Sequence, residues 1–339
     1  MAQNKALMLI NLGSPASYSE EDVRNYLRQF FADPYVIDYP KWLRSFISQM
    51  ILRKRPKLTA ANYAKIWLPE GSPLVVYSQQ LADAVAAKWG GKVVLAMRYG
   101  QPSIEAVLQQ LAAQNIDEVL LLPLYPHFTQ STIMSAVAET KRINANFFAN
   151  RFKFTQVAPF FQHPAYIASL AASIAPYLEQ DFDHFLFSFH GVPERHIRKL
   201  TNAINPQHNL QSLDVSDLDE NLLQACYRSQ CLHTAELAAQ KLNLSQDKWS
   251  VAFQSRLGGG RWITPYLAQH LDDLAAQNKR QILVVSPSFV VDCIETLEEL
   301  KIRYANNFKQ KTGGTLQIIP CLNTADMWIE ALIKIAKNY

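Results

Sequence analysis

"QQLAAQNIDEVLLLPLYP" (residues 109–126) and "DDLAAQNKRQILVVSPSF" (residues 272–289) share a helix end, a turn, an apolar strand and a Pro just past the strand. A short apolar run bounded by turn residues reads as a buried strand, and the longer pattern before it as a helix. Each copy also follows an earlier strand candidate, "AMRYG" in one case and "FQSRLGGG" in the other. One supersecondary unit met twice predicts two similar α/β halves, with the boundary near 158–165 ("APFFQHPA").

Working outward, "ALMLINL", "KVVLAMR" and "KFTQVAPF" supply the other strands of the first half, and "HFLFSFH", "WSVAFQS" and "TLQIIP" those of the second. Helical patterns lie between them at 74–89, 102–114, 131–148, 164–178, 222–241, 266–277, 289–305 and 324–338. This alternation predicts an α/β fold of parallel sheets covered by helices on both faces. A chain of 339 residues suits two such domains. We expect lobes at 1–160 and 161–339, with the last helix a candidate to pack back on the N-terminal lobe. Ser19 and Asp22 resemble a capping box that opens a helix at "EEDVRNYLRQFF". Residues 198–221 are polar and rich in turn formers, and read as a surface insertion of the length of a lid.

Composition narrows the function classes. The balance of 33 Lys+Arg against 29 Asp+Glu leaves only +4, which is no electrostatic footprint for nucleic acid. The apolar run Ala6–Leu12 stops at Gly13, Ser14 and Pro15, too short for a signal peptide, and no stretch approaches the roughly 20 apolar residues of a membrane span. A cytoplasmic protein is expected, and in a reducing compartment Cys226, Cys231, Cys293 and Cys321 need form no disulfide framework. Cys226 and Cys231 alone are too few for zinc. No G-x-G-x-x-G after a strand, P-loop, H-E-x-x-H or G-x-S-x-G occurs, and "RLGGGRW" (256–262) reads as a flexible loop.

Ligands of open α/β sheets bind beyond the carboxyl ends of the strands. That rule selects Gly13–Pro15, Arg98–Tyr99, Tyr125–Thr132, His190–Pro193, Gln254–Gly260 and Pro287–Glu295. His190 ends its strand, where Gly191 and Pro193 turn the chain. In "SPSFVVDCIETLEEL" (286–300), Asp292, Glu295 and Glu299 share one face of an α-helix at about 100° per residue. Val290, Cys293, Ile294 and Leu297 would form the opposite, apolar face, and Glu298 would be solvated. Spacing alone leaves a solvated acidic face ahead. Position after a strand opens the other reading, carboxylates that strip a hydrated cation or relay protons.

These motifs resemble the ferrochelatases, which insert ferrous iron into a porphyrin. The blocks "LINLGSP", "VRNYLRQFFADPYVID", "YAKIWLPEGSPL", "MRYGQPSI", "PLYPHFTQSTIMSA", "SFHGVPERH", "FQSRLGGGRWITPYL" and "SPSFVVDCIETLEEL" carry the resemblance in order along nearly the whole chain. It implies two Rossmann-like lobes, a chelatase-like arrangement around a porphyrin cleft. The family's histidine falls on His190 and its active-site glutamate on Glu295, as base and metal ligand in an order the sequence leaves open. The resemblance also implies macrocycle contacts from Leu12, Arg98, Tyr99 and Tyr125, and an acidic path through Asp292 and Glu299. Imidazole suits Fe(II) and accepts a proton near neutral pH.

Departures refine the reading. Many relatives carry Arg where Tyr35 stands, which puts a propionate contact there in doubt. Some bacterial members hold a 2Fe-2S cluster through a cysteine-rich insertion, but 198–221 contains no cysteine. No cluster and no prosthetic group are expected; Fe(II) is a substrate. The coproporphyrin-using branch tends to place Tyr at Leu12 and His at Cys293. Protoporphyrin IX is therefore the expected partner, with coproporphyrin III or another tetrapyrrole metallation as the alternative, and a non-catalytic tetrapyrrole carrier as the reading from another class. Residues 39–57, "YPKWLRSFISQMILRKRPK", form a basic amphipathic pattern suited to peripheral membrane contact or to an ordinary surface helix.

Overall fold

A computed structural model of the chain describes residues 4–209, 218–256 and 258–339. The chain forms two compact units. One holds the chain up to Tyr125, Gln130–Ala158 and Leu332–Tyr339; the other holds Pro126–Thr129 and Pro159–Ala331. Each is built on a four-stranded parallel sheet. In the first, β1 (Lys5–Gly13), β2 (Lys92–Tyr99), β3 (Glu118–Pro123) and β4 (Lys153–Gln156) lie in the order β2-β1-β3-β4. In the second, β5 (His184–His190), β6 (Trp249–Gln254), β7 (Gln281–Val285) and β8 (Thr315–Ile318) lie in the order β6-β5-β7-β8. The two sheets therefore have one topology, written twice.

The repeated stretches explain why. Helix Ile104–Ala113 leads into β3 and helix Leu267–Ala276 into β7, the third strand of each sheet. In both copies the shared Asn turns the chain, Asn115 at φ 56° and Asn278 at φ 61°. Asn tolerates this left-handed conformation because its short polar side chain bonds locally. Both turns close the same way: Ile116 N–H donates to the Leu111 carbonyl and Lys279 N–H to the Leu274 carbonyl, each at 3.0 Å. That is the Schellman pattern, which satisfies helix-end carbonyls before the strand begins.

Central strands are buried along most of their length, as covered parallel sheets require. Met8, Ile10, Leu108, Val119 and Leu121 anchor the first core, and Leu186, Ala252, Leu267, Val284 and Phe308 the second. At the exit of β1, Gly13 has φ +100°, and a Cβ there would lie 1.7 Å from the Tyr99 carbonyl oxygen. Only glycine lets β1 leave beside the end of β2.

Several expected helices are divided. The 131–148 pattern is a wide π-helix, Gln130–Met134, followed by α-helix Ser135–Phe147. The 222–241 pattern breaks at Cys226 into Glu220–Ala225 and Tyr227–Lys241. Ser19 does cap helix Glu20–Ala32, accepting the Asp22 N–H at 3.1 Å. Helix Glu194–Thr201 occupies the start of the expected insertion, whose residues 210–217 lie outside the described residues. Among the described residues, no helix is long and apolar enough to cross a membrane.

Candidate active site

His190 is the last residue of β5, and its environment fixes the tautomer. Nδ1 lies 2.6 Å from the Gly191 carbonyl oxygen. A carbonyl only accepts, so Nδ1 carries the proton and the neutral ring keeps its lone pair on Nε2. The backbone of His190 is held as well: Tyr227 donates its hydroxyl to the His190 carbonyl at 2.8 Å and lies 3.0 Å from Ser288 Oγ. A Cβ on Gly191 would come within 2.8 Å of the Gln254 carbonyl oxygen, so a larger residue would push the turn away from β6.

Gln254, at the end of β6, ties the strand ends to the glutamate. Its Oε1 accepts from Ser188 Oγ at 2.6 Å and from Ser286 Oγ at 3.3 Å, and its Nε2 donates to the Glu295 carbonyl at 3.3 Å. Gln254 and Ser188 are fully enclosed, so these bonds form away from competing water. The result is a rigid link from the sheet to the first residue of the next helix.

That helix corrects the expected geometry. Residues 289–293 are not helical, and a π-helix runs over Glu295–Tyr304. Asp292 therefore precedes the helix and does not share an α-helical face with Glu295. Its Oδ1 accepts from Thr296 Oγ1 at 2.8 Å and its Oδ2 from Asn323 Nδ2 at 2.8 Å, while its own N–H donates to Asn323 Oδ1 at 2.9 Å. Asp292 thus anchors the helix entrance. Glu298, expected to be solvated, is only 2% exposed, whereas Ile294 and Leu297 of the expected apolar face are half-buried. The wider winding turned the pattern round: π-helices pair i with i+5, so the angle assumed for an α-helix places these side chains wrongly. Glu299 is buried too, accepting from Ser255 Oγ and pairing with Arg303 at 3.1 Å.

Glu295 keeps partial surface exposure but is densely enclosed, and burial pushes its carboxyl pKa above the ordinary value. The positive charge of a protonated His190 and a hydrogen bond from the Cys293 thiol act in the other direction, and Glu299 adds to the rise. The combination brings a carboxyl with raised proton affinity near an imidazole whose Nε2 bears a lone pair, a set able to accept protons and to ligate a divalent ion.

The remaining expected residues lie in the first unit, at the ends of β1, β2 and β3. Leu12 is half-buried. Arg98 pairs with Asp33 at 2.6 Å, and Tyr99 donates its hydroxyl to the same Asp33 oxygen at 2.6 Å. Ser135 also donates to that oxygen. The Tyr99 ring is only 1% exposed, so Tyr99 supports Arg98 from beneath, with the guanidinium 4.4 Å from its ring centre. Tyr125 is buried, which pushes its phenol pKa far up, and its hydroxyl has no hydrogen-bond partner among the described residues. A concavity of roughly 680 Å³ lies beside Arg98, lined by Asp33, Tyr35, Glu139 and Arg142 among others.

Asp33, Ser135 and Tyr227 are supports that the sequence reading passed over, whereas Gln254 was selected only as a strand end. Asp33 stands in "FADPYVID", where the Asp before Pro signals only a helix end. Gln254 ends a strand, the one signal that pointed at it.

Comparisons with known proteins identify the family of the whole chain. The ferrochelatase family model matches residues 4–339. A protein named ferrochelatase from Ectopseudomonas mendocina (strain ymp) is 50% identical over 329 residues, 96% of either chain. Another of that name, from Pseudomonas aeruginosa (strain LESB58), is 48% identical and covers 99% of this chain and 98% of its own. Among solved structures, SirB from Bacillus subtilis with Fe3+ matches with a TM-score of 0.57 at 7% identity over 99% of this chain and 95% of that one, a likeness of fold alone.

Proposed function

The chain belongs to the ferrochelatase family, and we propose that it inserts Fe(II) into protoporphyrin IX, giving protohaem and two protons as the final step of haem biosynthesis. The observation that carries the site assignment is the pairing of His190, lone pair on Nε2, with the burial-raised carboxyl of Glu295. A free-base porphyrin must lose two inner N–H protons as iron arrives. His190 and Glu295 share those tasks: one accepts the two pyrrole protons in succession and passes them to solvent, the other helps strip water from the ion and offsets its charge. Leu12 offers an aliphatic contact to the macrocycle, the unpartnered Tyr125 hydroxyl a polar one, and Arg98 a cation held by Asp33. Tyr99 acts through Arg98. Asp292 and Glu299, first placed on an acidic path, act on Glu295 by anchoring its helix and, for Glu299, by charge.

An aliphatic Leu12 and a thiol at Cys293 favour protoporphyrin. Anaerobic metallation followed by the haem spectrum, with protoporphyrin IX and coproporphyrin III in parallel, is expected to give the higher kcat/KM for protoporphyrin. The reverse order would assign the chain to coproporphyrin, and binding without turnover would make it a carrier. No resident 2Fe-2S cluster is part of the reading. Burial pushes the thiols of Cys226, Cys231, Cys293 and Cys321 up, towards the neutral form, whereas cluster ligands are thiolates.

Delivery of a greasy substrate is the proposed role of helix Lys41–Leu52. Trp42, Phe46 and Met50 recur every four residues and are 73%, 59% and 55% exposed, beside Lys41, Arg53 and Lys54. A basic helix with such a face lies on anionic lipid. Co-sedimentation with anionic vesicles is expected for the intact protein and should fall several-fold in Trp42→Ala/Phe46→Ala. Equal sedimentation of both proteins would leave an ordinary surface helix.

A further inference from the structure

Arg303 lies between two buried carboxylates that follow Glu295 on the same helix. Its Nε lies 3.6 Å from Glu298 and its Nη2 3.1 Å from Glu299. The Glu298 side chain is 2% exposed and that of Glu299 9%, while the guanidinium reaches solvent at 48%. Burying two carboxylates is costly, and one cation held at the mouth of the pair offsets much of that cost. Arginine suits this position because its planar fork presents donors to two acceptors at once, which a single ammonium cannot do in the same geometry.

The spacing carries a second message. Glu298 and Glu299 are five and four residues before Arg303. In an α-helix, at about 100° per residue, a residue five places away sits roughly 140° around the axis, and the guanidinium would meet only Glu299. In a π-helix, at about 4.4 residues per turn, the fourth and fifth neighbours fall roughly 30° and 50° to either side of the residue, so both carboxylates flank one fork. The contact pattern of Arg303 is therefore satisfied by the wide winding of Glu295–Tyr304 and not by the α alternative. The opposite end of this helix is held by Thr296 on Asp292 and by Gln254 on the Glu295 carbonyl. Between the two anchors lies the turn that aims the Glu295 carboxyl.

We propose that Arg303 is a positioning residue for metal insertion: its bridge across Glu298 and Glu299 holds the wide helical register that sets the direction of Glu295. The proposal rests on the reading of Glu295 as a member of the metal-inserting pair. It also assigns Glu299 as a partner of Arg303 and Ser255, so that the acidic run divides into one active carboxyl and a structural ion cluster.

The test compares wild type, Arg303→Gln and Glu298→Gln/Arg303→Gln. In anaerobic metallation, Arg303→Gln is expected to lose on the order of ten- to a hundredfold in kcat with the porphyrin KM unchanged, because a misdirected carboxyl harms the chemical step and not macrocycle binding. The double variant removes one of the two buried charges that Arg303 offsets, so its thermal midpoint should recover while kcat stays low. Recovery of both together would overturn the proposal, reducing Arg303 to charge neutralisation, as would a wild-type kcat in Arg303→Gln. Amide hydrogen exchange gives a readout independent of turnover. Exchange over 295–304 should quicken in Arg303→Gln while helix Leu267–Ala276 is unaffected; unchanged exchange over 295–304 overturns the proposal. Absence of turnover in the wild type would instead remove the functional reading and leave the helix-register claim to stand or fall on exchange.

Discussion

His190→Ala protein is expected to bind protoporphyrin IX with unchanged affinity and to metallate it on the order of a hundred- to ten-thousandfold more slowly than wild type. The reason lies in what the ring alone supplies. Its Nδ1–H is committed to the Gly191 carbonyl, which leaves Nε2 as an oriented lone pair beside the Glu295 carboxyl. Ala keeps the turn at the end of β5, because Tyr227 holds the His190 carbonyl and Ser288 lies beside it, and neither bond needs the imidazole. The loss should therefore appear in kcat, with porphyrin fluorescence quenching titrating as in the wild type. Added imidazole is expected to restore part of the rate if His190 serves mainly as a base. A His190→Ala protein that metallates normally would remove His190 from the mechanism. The companion test, loss of porphyrin binding itself, would point to a role in holding the macrocycle.

The fold was legible because its signals are local. Repetition of "LAAQN" before an apolar run marks a Schellman-type exit from a helix, and Asn115 and Asn278 both take the left-handed turn that such an exit demands. Strand ends were equally plain, and they led to His190, Arg98 and Tyr125 without any knowledge of side-chain contacts. The acidic run was misread in detail, because helical phase is an assumption. Nothing in "DCIETLEEL" announces a π-helix, since the wider winding is stabilised by partners brought from elsewhere: Gln254 from β6, Ser255 beside it and Asn323 near the end of the second unit's chain. Asp33 was invisible for a related reason. It meets Arg98 across 65 residues and Ser135 across 102, and a polar residue in a loop carries no periodic mark of such partners. Sequence periodicity reports which face is apolar. It does not report which polar groups will be buried together.

His127 supplies the largest expected pH effect on stability, and the sign follows from its hydrogen bonds. Thr234 donates its single hydroxyl proton to the Phe161 carbonyl at 2.8 Å, so it accepts from His127 Nε2–H at 2.9 Å. The lone pair is then on Nδ1, which is buried and has no hydrogen-bond partner among the described residues. Phe161, Phe189 and Tyr227 surround the ring. Protonating Nδ1 would place a cation and an unsatisfied donor among aromatic side chains, and burial accordingly pushes the His127 pKa down to about 3. In the unfolded chain the ordinary value near 6.5 applies. The stabilising neutral form is fully present above about pH 6.5; below it the unfolded state binds the proton first, and stability falls until the folded value near 3 is reached. By pH 5 this group alone should have cost about 2 kcal/mol, and over the whole window about 5 kcal/mol. His184, whose pKa burial lowers to about 4, adds a smaller loss of the same sign, since its pKa moves less. Urea unfolding of wild type and His127→Phe at pH 7 and pH 5 checks the assignment. Phe fits the aromatic cluster and leaves Thr234 bonded to Phe161, so the variant should be at least as stable as wild type at pH 7 and lose about 2 kcal/mol less on going to pH 5. An identical pH dependence in the two proteins would mean that His127 does not control the acid limb.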